Sequence, residues 1–180
     1  MITFKTWVCD KQKFNKLMKT LYTKPNFEKY RDISWEQILE YINTVKFSYP
    51  RQVMIPKDAF SKREVFIYEP LDNFVLKLYN MYLNDVFSDD ISNHVYSYTE
   101  GVAVATVLSK FNKVYDTSKI YVKVDLSNYF MTPSGEYLTQ FLSKYGLTEK
   151  PFDKLFENKF YGVDSGELEE KNLGLLPSAL

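Results

Sequence analysis

Four side chains in this sequence are placed to be candidates for handling phosphate and metal, namely Lys57, Lys62, Arg63 and Asp125. Asp125 ends the alternating run Tyr121-Val-Lys-Val-Asp125 and is followed by Leu126-Ser-Asn-Tyr-Phe130. A carboxylate fixed at the end of a strand suits a divalent cation, because Mg²⁺ takes oxygen ligands and keeps several waters. The same residue can equally cap the turn that follows a strand. Lys57, Lys62 and Arg63 bracket a segment of β-type residues, where an arginine fork and lysine point charges can hold a triphosphate. On an ordinary hairpin such cations keep an exposed edge soluble. The single cysteine, Cys9, and the single histidine, His94, offer no disulfide and no metal-ligand spacing. With Trp7 and Trp35 they read as packing or surface residues.

The elements that must position these residues are read from periodicity. Phe14, Leu17, Met18 and Leu21 recur at helical spacing with Lys11, Lys13, Lys16 and Lys19 between them, which predicts an amphipathic helix with a solvated basic face. Trp35, Ile38, Leu39, Ile42 and Val45 predict a second, begun by Asp32 or Ser34. The period then changes. Arg51 to Lys57 and Arg63 to Tyr68 are β-type runs joined by a polar connector, hence a hairpin, though without an Asn-Gly or Asp-Gly turn. After Pro70, the stripe Val75, Leu78, Tyr79, Tyr82, Leu83 and Val86 predicts a long core helix. Further helices are expected around Val104 to Phe111 and Tyr137 to Tyr145, and from Phe152. Tyr121 to Asp125 is expected to be a strand.

Composition narrows the class. The chain has 180 residues, 45% of them hydrophobic, enough for one globular domain with a full core. Twenty-three basic residues balance 23 acidic ones, so any site for a polyanion must be local. One cysteine, the absence of a signal-type apolar run and the absence of a membrane span lead to the expectation of a cytoplasmic protein with no membrane partner. The order of elements is mixed, α+β, without βαβ alternation.

Several segments together resemble a known family. Ile55-Pro-Lys57 through Lys62-Arg-Glu-Val-Phe-Ile-Tyr-Glu-Pro70 is similar to the fingers hairpin of bacterial reverse transcriptases, and Asp72 to Leu83 to the helix that follows it there. Tyr96-Ser-Tyr-Thr-Glu-Gly101 resembles the element preceding their palm. Tyr121 to Phe130 resembles their first catalytic motif, and Gly174 to Leu180 the start of their second. Within the family the pattern is nearest to the abortive-infection or unknown-group defence enzymes. The resemblance implies the fingers and first half of the palm of a right-hand polymerase. It divides the chain into residues 1–47 (N-terminal helices), 48–120 (fingers) and 121–180 (partial palm).

By position, the resemblance makes Asp125 the first Mg²⁺ (or Mn²⁺) ligand, with the Leu126 carbonyl beside it. Phe130 becomes the residue screening the sugar 2′ position, and Arg63, Lys57 and Lys62 meet the incoming nucleotide. Gly174, Pro177 and Ser178 lie beside the template. The expected partners are nucleic acid and deoxynucleoside triphosphates, in bacterial anti-phage defence. Two departures accompany the resemblance: Leu176-Pro177-Ser178 lacks the family's second glycine, and the family's paired-aspartate motif follows the second motif, where these residues have already ended. Two-metal transfer needs several carboxylates. The chain is therefore expected to be a truncated, inactive portion of a longer protein, prone to self-association. The alternative expectation is a non-catalytic nucleic-acid-binding or assembly module.

Overall fold

A computed structural model describes residues 2–44, 47–90, 92, 95–96, 103–125, 132–145, 147, 153–171 and 176. The architecture is α+β, with a helical core beside a four-stranded mixed sheet. Among the described residues no helix is long and apolar enough to cross a membrane.

The helical core starts with α1 (Phe4–Val8) and α2 (Lys11–Tyr22), capped by the side chains of Thr3 and Asp10, which accept from Thr6 N at 3.2 Å and Gln12 N at 2.9 Å. A 3₁₀ turn (Phe27–Tyr30) leads to α3 (Trp35–Thr44). Of the two candidate caps, Ser34 is the one used. Its hydroxyl accepts from Gln37 N at 3.2 Å while Gln37 Oε1 accepts from Ser34 N at 2.8 Å, a reciprocal box that satisfies two donors at the helix start.

α4 (Pro70–Val86) is the spine. Proline at its first turn lacks the N–H that would be orphaned there. Phe74, Val75, Leu78 and Tyr82 are completely buried against Phe4, Val8, Phe14, Leu17, Ile38 and Phe47. Burial of each such side chain contributes about 1.5–3 kcal/mol. Trp7 and Trp35 are packing residues: their indole N–H groups donate to Asp85 Oδ2 at 2.9 Å and to Val8 O at 3.3 Å. The basic face of α2 is partly engaged, since Lys13 pairs with Asp85 at 2.8 Å and Lys11 with Glu36 at 3.6 Å.

Two polar residues on α4 are buried with the apolar ones. Asn73 Oδ1 accepts from Tyr30 Oη at 2.9 Å. The Asp72 carboxylate is 2% exposed and accepts from Tyr41 Oη on α3 and from Ser48 N at 3.0 Å. That pair of bonds fixes the chain where it leaves the helices for the sheet.

β1 (Arg51–Pro56) and β2 (Lys62–Ile67) form the expected antiparallel hairpin, with Arg51 opposite Ile67 and Pro56 opposite Lys62. Sequence periodicity does not reveal β3 (Lys159–Tyr161) and β4 (Leu168–Glu170), which complete the order β2-β1-β3-β4. β3 lies parallel to β1 through Tyr161 N, which donates to Pro50 O at 2.9 Å. Gly166, at φ +67°, turns the chain between β3 and β4 in a conformation that favours glycine. Phe66, Tyr68, Phe160 and Leu176 make a second, smaller core here. Burial raises the pKa of the Tyr68 phenol strongly.

The remaining helices are α5 (Val104–Val114), α6 (Gly135–Lys144) and the short α7 (Asp153–Phe156). Gly135 is required at the start of α6, because a Cβ would come within 2.3 Å of the Phe156 carbonyl oxygen. α5 forms as its periodicity predicts but buries none of its residues, so its apolar stripe of Val104, Leu108 and Phe111 is exposed. One expectation is corrected. Tyr121 to Asp125 is not a strand: it joins no ladder among the described residues, and Val122 and Val124 are both 80% exposed.

Asp72→Ala strips an acceptor from two donors and is expected to cost about 3 kcal/mol, read from the urea midpoint, against about 1 kcal/mol for Tyr41→Phe. A second outcome concerns pH. Burial works to raise the Asp85 pKa, but the bonds from Lys13 and Trp7 outweigh it, and the carboxyl titrates below its ordinary 3.8. Its stabilisation, under about 1 kcal/mol for so exposed a pair, is present above the ordinary value and lost as pH falls through the lowered one. The stability gap between wild type and Asp85→Asn should therefore be constant above roughly pH 5 and close toward acid, in denaturation curves at stepped pH.

Candidate functional site

The sequence-derived cations converge at the free end of the β1–β2 hairpin. Lys57, Lys62 and Arg63 are all exposed, and none makes an ion pair with a described residue. They do not share one face. Lys62 and Arg63 are consecutive in β2 and so project to opposite sides of the ribbon. Lys57 N donates to Ser61 O at 2.9 Å, extending the ladder past Pro56 and placing Lys57 on the side of Ile55 and Arg63. Two cations thus stand on one face and the third on the other.

The connector supplies in another way what an Asn-Gly turn would have given. Asp58 Oδ1 accepts from Phe60 N at 2.9 Å and Ser61 N at 2.7 Å, and Oδ2 from the Ser61 hydroxyl at 2.5 Å. The Ser61 hydroxyl first, then these two amides, hold the carboxyl below its usual range. Periodicity does not expose this turn, although Asp58-Ala-Phe-Ser61 is the kind of local side-chain-to-backbone signal that marks one. Phe60, at the tip, is 100% exposed. It too escapes a reading that weighs only charged residues.

The lower part of the ribbon is held by a cluster with no sequence signal. Glu64 accepts from Gln52 and from Lys171, and the Lys171 ammonium lies 5.1 Å from the Phe66 ring centre and 5.6 Å from that of Phe160. Gln52 Oε1 also accepts from Val163 N at 3.0 Å, tying β1 to the chain after β3. Glu64, the acid nearest the basic tip along β2, is thereby occupied.

Asp125 is exposed and makes no hydrogen bond or ion pair with a described residue. Among the described residues no three acidic, histidine or cysteine side chains gather as a metal site, so the described residues by themselves do not complete a Mg²⁺ centre. Leu126, Phe130, Gly174, Pro177 and Ser178 lie outside the described residues, as does His94. Leu176 is buried, and its carbonyl accepts from Tyr68 Oη at 3.5 Å.

No protein-family model matches the chain. No solved structure matches it either. Among curated proteins, it is 26% identical over 126 residues to a Saccharomyces cerevisiae protein described as "Putative COX1/OXI3 intron 1 protein". The alignment takes in 70% of this chain and 15% of that relative's length.

Asp58→Ala should accelerate amide exchange at Phe60 and Ser61 while leaving the ladder from Arg51 to Ile67 protected, as read by hydrogen-exchange NMR. The wild-type turn is expected to hold above the ordinary carboxylate range and to loosen only as pH falls through the lowered Asp58 pKa.

Proposed function

We propose that this chain is the fingers-bearing, N-terminal part of a reverse-transcriptase-like nucleotidyltransferase acting in bacterial defence, with residues 121–180 belonging to its palm. The observation that carries the reading is the hairpin. Lys57 and Arg63, which pair with no described residue, stand on one face, Lys62 on the other, and the core helix α4 begins directly after it. This is the order of the segments that resemble the family. The match to part of a much longer intron-associated protein fits a chain that is one segment of a larger polypeptide.

In this reading a hydroxyl attacks the innermost phosphorus of a deoxynucleoside triphosphate and pyrophosphate departs. The Arg63 guanidinium grips the triphosphate with two parallel donors, and Lys57 adds a point charge to the same face. Their rigid hairpin orients the phosphate chain before reaction. Asp125 is the carboxylate assigned to bind Mg²⁺ (or Mn²⁺), which would lower the charge on the phosphates. Its remaining partners are not among the described residues, and no further step is assigned to the metal.

A second reading has one observation in its favour. Among the described residues Asp125 belongs to no group of three metal-ligating side chains, which suits a non-catalytic module that holds nucleic acid or assembles with other chains.

Primer-extension and untemplated-addition assays on the longest natural chain separate the two. Under the catalytic reading Asp125→Ala abolishes incorporation and Arg63→Ala raises KM for the nucleotide roughly tenfold or more. The 180-residue chain alone should incorporate nothing. Incorporation that survives both substitutions would sink the assignment, and a long chain that binds nucleic acid without extending it selects the module.

A further inference from the structure

The spine helix carries one cation to which the fold gives no counter-ion among the described residues. Lys77 is half-buried on α4, next to Leu78 and one turn from Phe74, both completely buried. It makes no ion pair with a described residue.

Two further cations are held against it by contacts of their own. Tyr30 Oη donates to Asn73 Oδ1 at 2.9 Å, one turn before Lys77 on the same face of α4, and the Tyr30 ring packs on Phe74 with centroids 6.0 Å apart. These contacts dock the 3₁₀ turn on the spine, and the Lys29 ammonium lies 4.9 Å from the centre of that same Tyr30 ring. Lys24 is fixed through its backbone: its N–H donates to the carbonyl of buried Leu21 at 2.8 Å, and its own carbonyl accepts from Phe27 N at 3.1 Å. Burial lowers the Lys77 pKa, and the charges of Lys29 and then Lys24 lower it further. The acids of these segments are committed elsewhere. Glu28, the one acid between Lys11 and Arg31, pairs with Arg31, and Asp72 accepts from Tyr41 and Ser48.

Like charges gathered beside a half-buried stem disfavour the folded state. An anion whose charge is concentrated on one centre reverses that sign. A phosphodiester strand spreads a single charge over each of its residues, and a carboxylate brings one charge to three cations. A terminal phosphate puts nearly two charges and three acceptor oxygens on one group. Ammonium groups suit it, as compact point charges with three rotatable donors each.

We propose that Lys24, Lys29 and Lys77 form a binding site for a small phosphate anion, inorganic or the terminal phosphate of a small molecule, seated where the 3₁₀ turn docks on α4. The site does not rest on the polymerase reading, and it shares no residue with the hairpin cations assigned there to a triphosphate. Once filled, it ties the loop after α2, the 3₁₀ turn and the spine together through charge-assisted hydrogen bonds.

The test uses the full chain in metal-free buffer at fixed ionic strength, with inorganic phosphate, pyrophosphate and a 5′-hydroxyl oligouridylate as probes. At about ten times its dissociation constant, pyrophosphate should raise the melting temperature by roughly 3–6 °C over chloride. Lys77→Met keeps an apolar stem and removes the charge, so it should melt no lower than wild type in chloride and should lose the pyrophosphate shift. Lys77→Arg should keep it. Lys24→Gln and Lys29→Gln should each weaken pyrophosphate binding roughly threefold, read by titration calorimetry. The hairpin double variant Lys57→Ala, Arg63→Ala should retain the whole shift. A shift that survives Lys77→Met, or one that vanishes in the hairpin variant, places the anion elsewhere and overturns the proposal. An oligouridylate that displaces pyrophosphate and loses affinity in Lys77→Met gives the lysines to a nucleic-acid backbone and overturns it as well. So does a wild-type chain that neither phosphate nor pyrophosphate stabilises.

Discussion

A carboxylate with almost no access to water holds the two halves of the fold in register. Asp72 sits in the first turn of α4, where the helix dipole favours negative charge, and it gathers donors from α3 and from the backbone at Ser48. A buried charge is tolerated only where its lone pairs are used. Asp72 thereby ties α4 to α3 through Tyr41 and to the start of the segment leading to β1 through Ser48. The basic tip inherits its placement from this contact, since β1 begins three residues beyond Ser48.

The second constraint lies across the sheet. β1 is flanked by β2, close in sequence, and by β3, more than a hundred residues away, so the hairpin is braced on its far edge by a distant segment. Lys171 reinforces this brace through one side chain, with its ammonium over two phenyl rings and paired with Glu64. Such a side chain serves as hydrophobic cover and as counter-ion together. The cations at the tip keep no ion-pair partner among the described residues.

Much of this was legible in the sequence, and the reasons differ by element. The hairpin was readable because alternation, a polar connector and a following proline agree, and α4 because its apolar stripe is long. The cap of α3 could be narrowed only to Asp32 or Ser34, since the deciding feature is the pairing of Ser34 with Gln37. β3 and β4 were invisible because three-residue strands carry no period, and their existence depends on β1. Tyr121 to Asp125 misled for the converse reason: alternation is necessary for a half-buried strand, but a ladder needs a partner. The role of Asp72 has no sequence signal, because its partners lie 31 and 24 positions away.

The parallel pairing of Arg51 with Tyr161 also bears on how the chain is made. Apart from Leu147, with Leu142, Leu155 and Phe156 packed beside it, the helical core and the β1–β2 hairpin use contacts within the first ninety residues, so most of them can assemble while the rest is still being translated. The outer edge of β1 then waits for β3. At about 5–20 residues per second, the 110 positions between 51 and 161 take roughly 5 to 20 seconds to synthesise. For that interval an unpaired strand edge is open to chaperones or to the edge of another nascent chain.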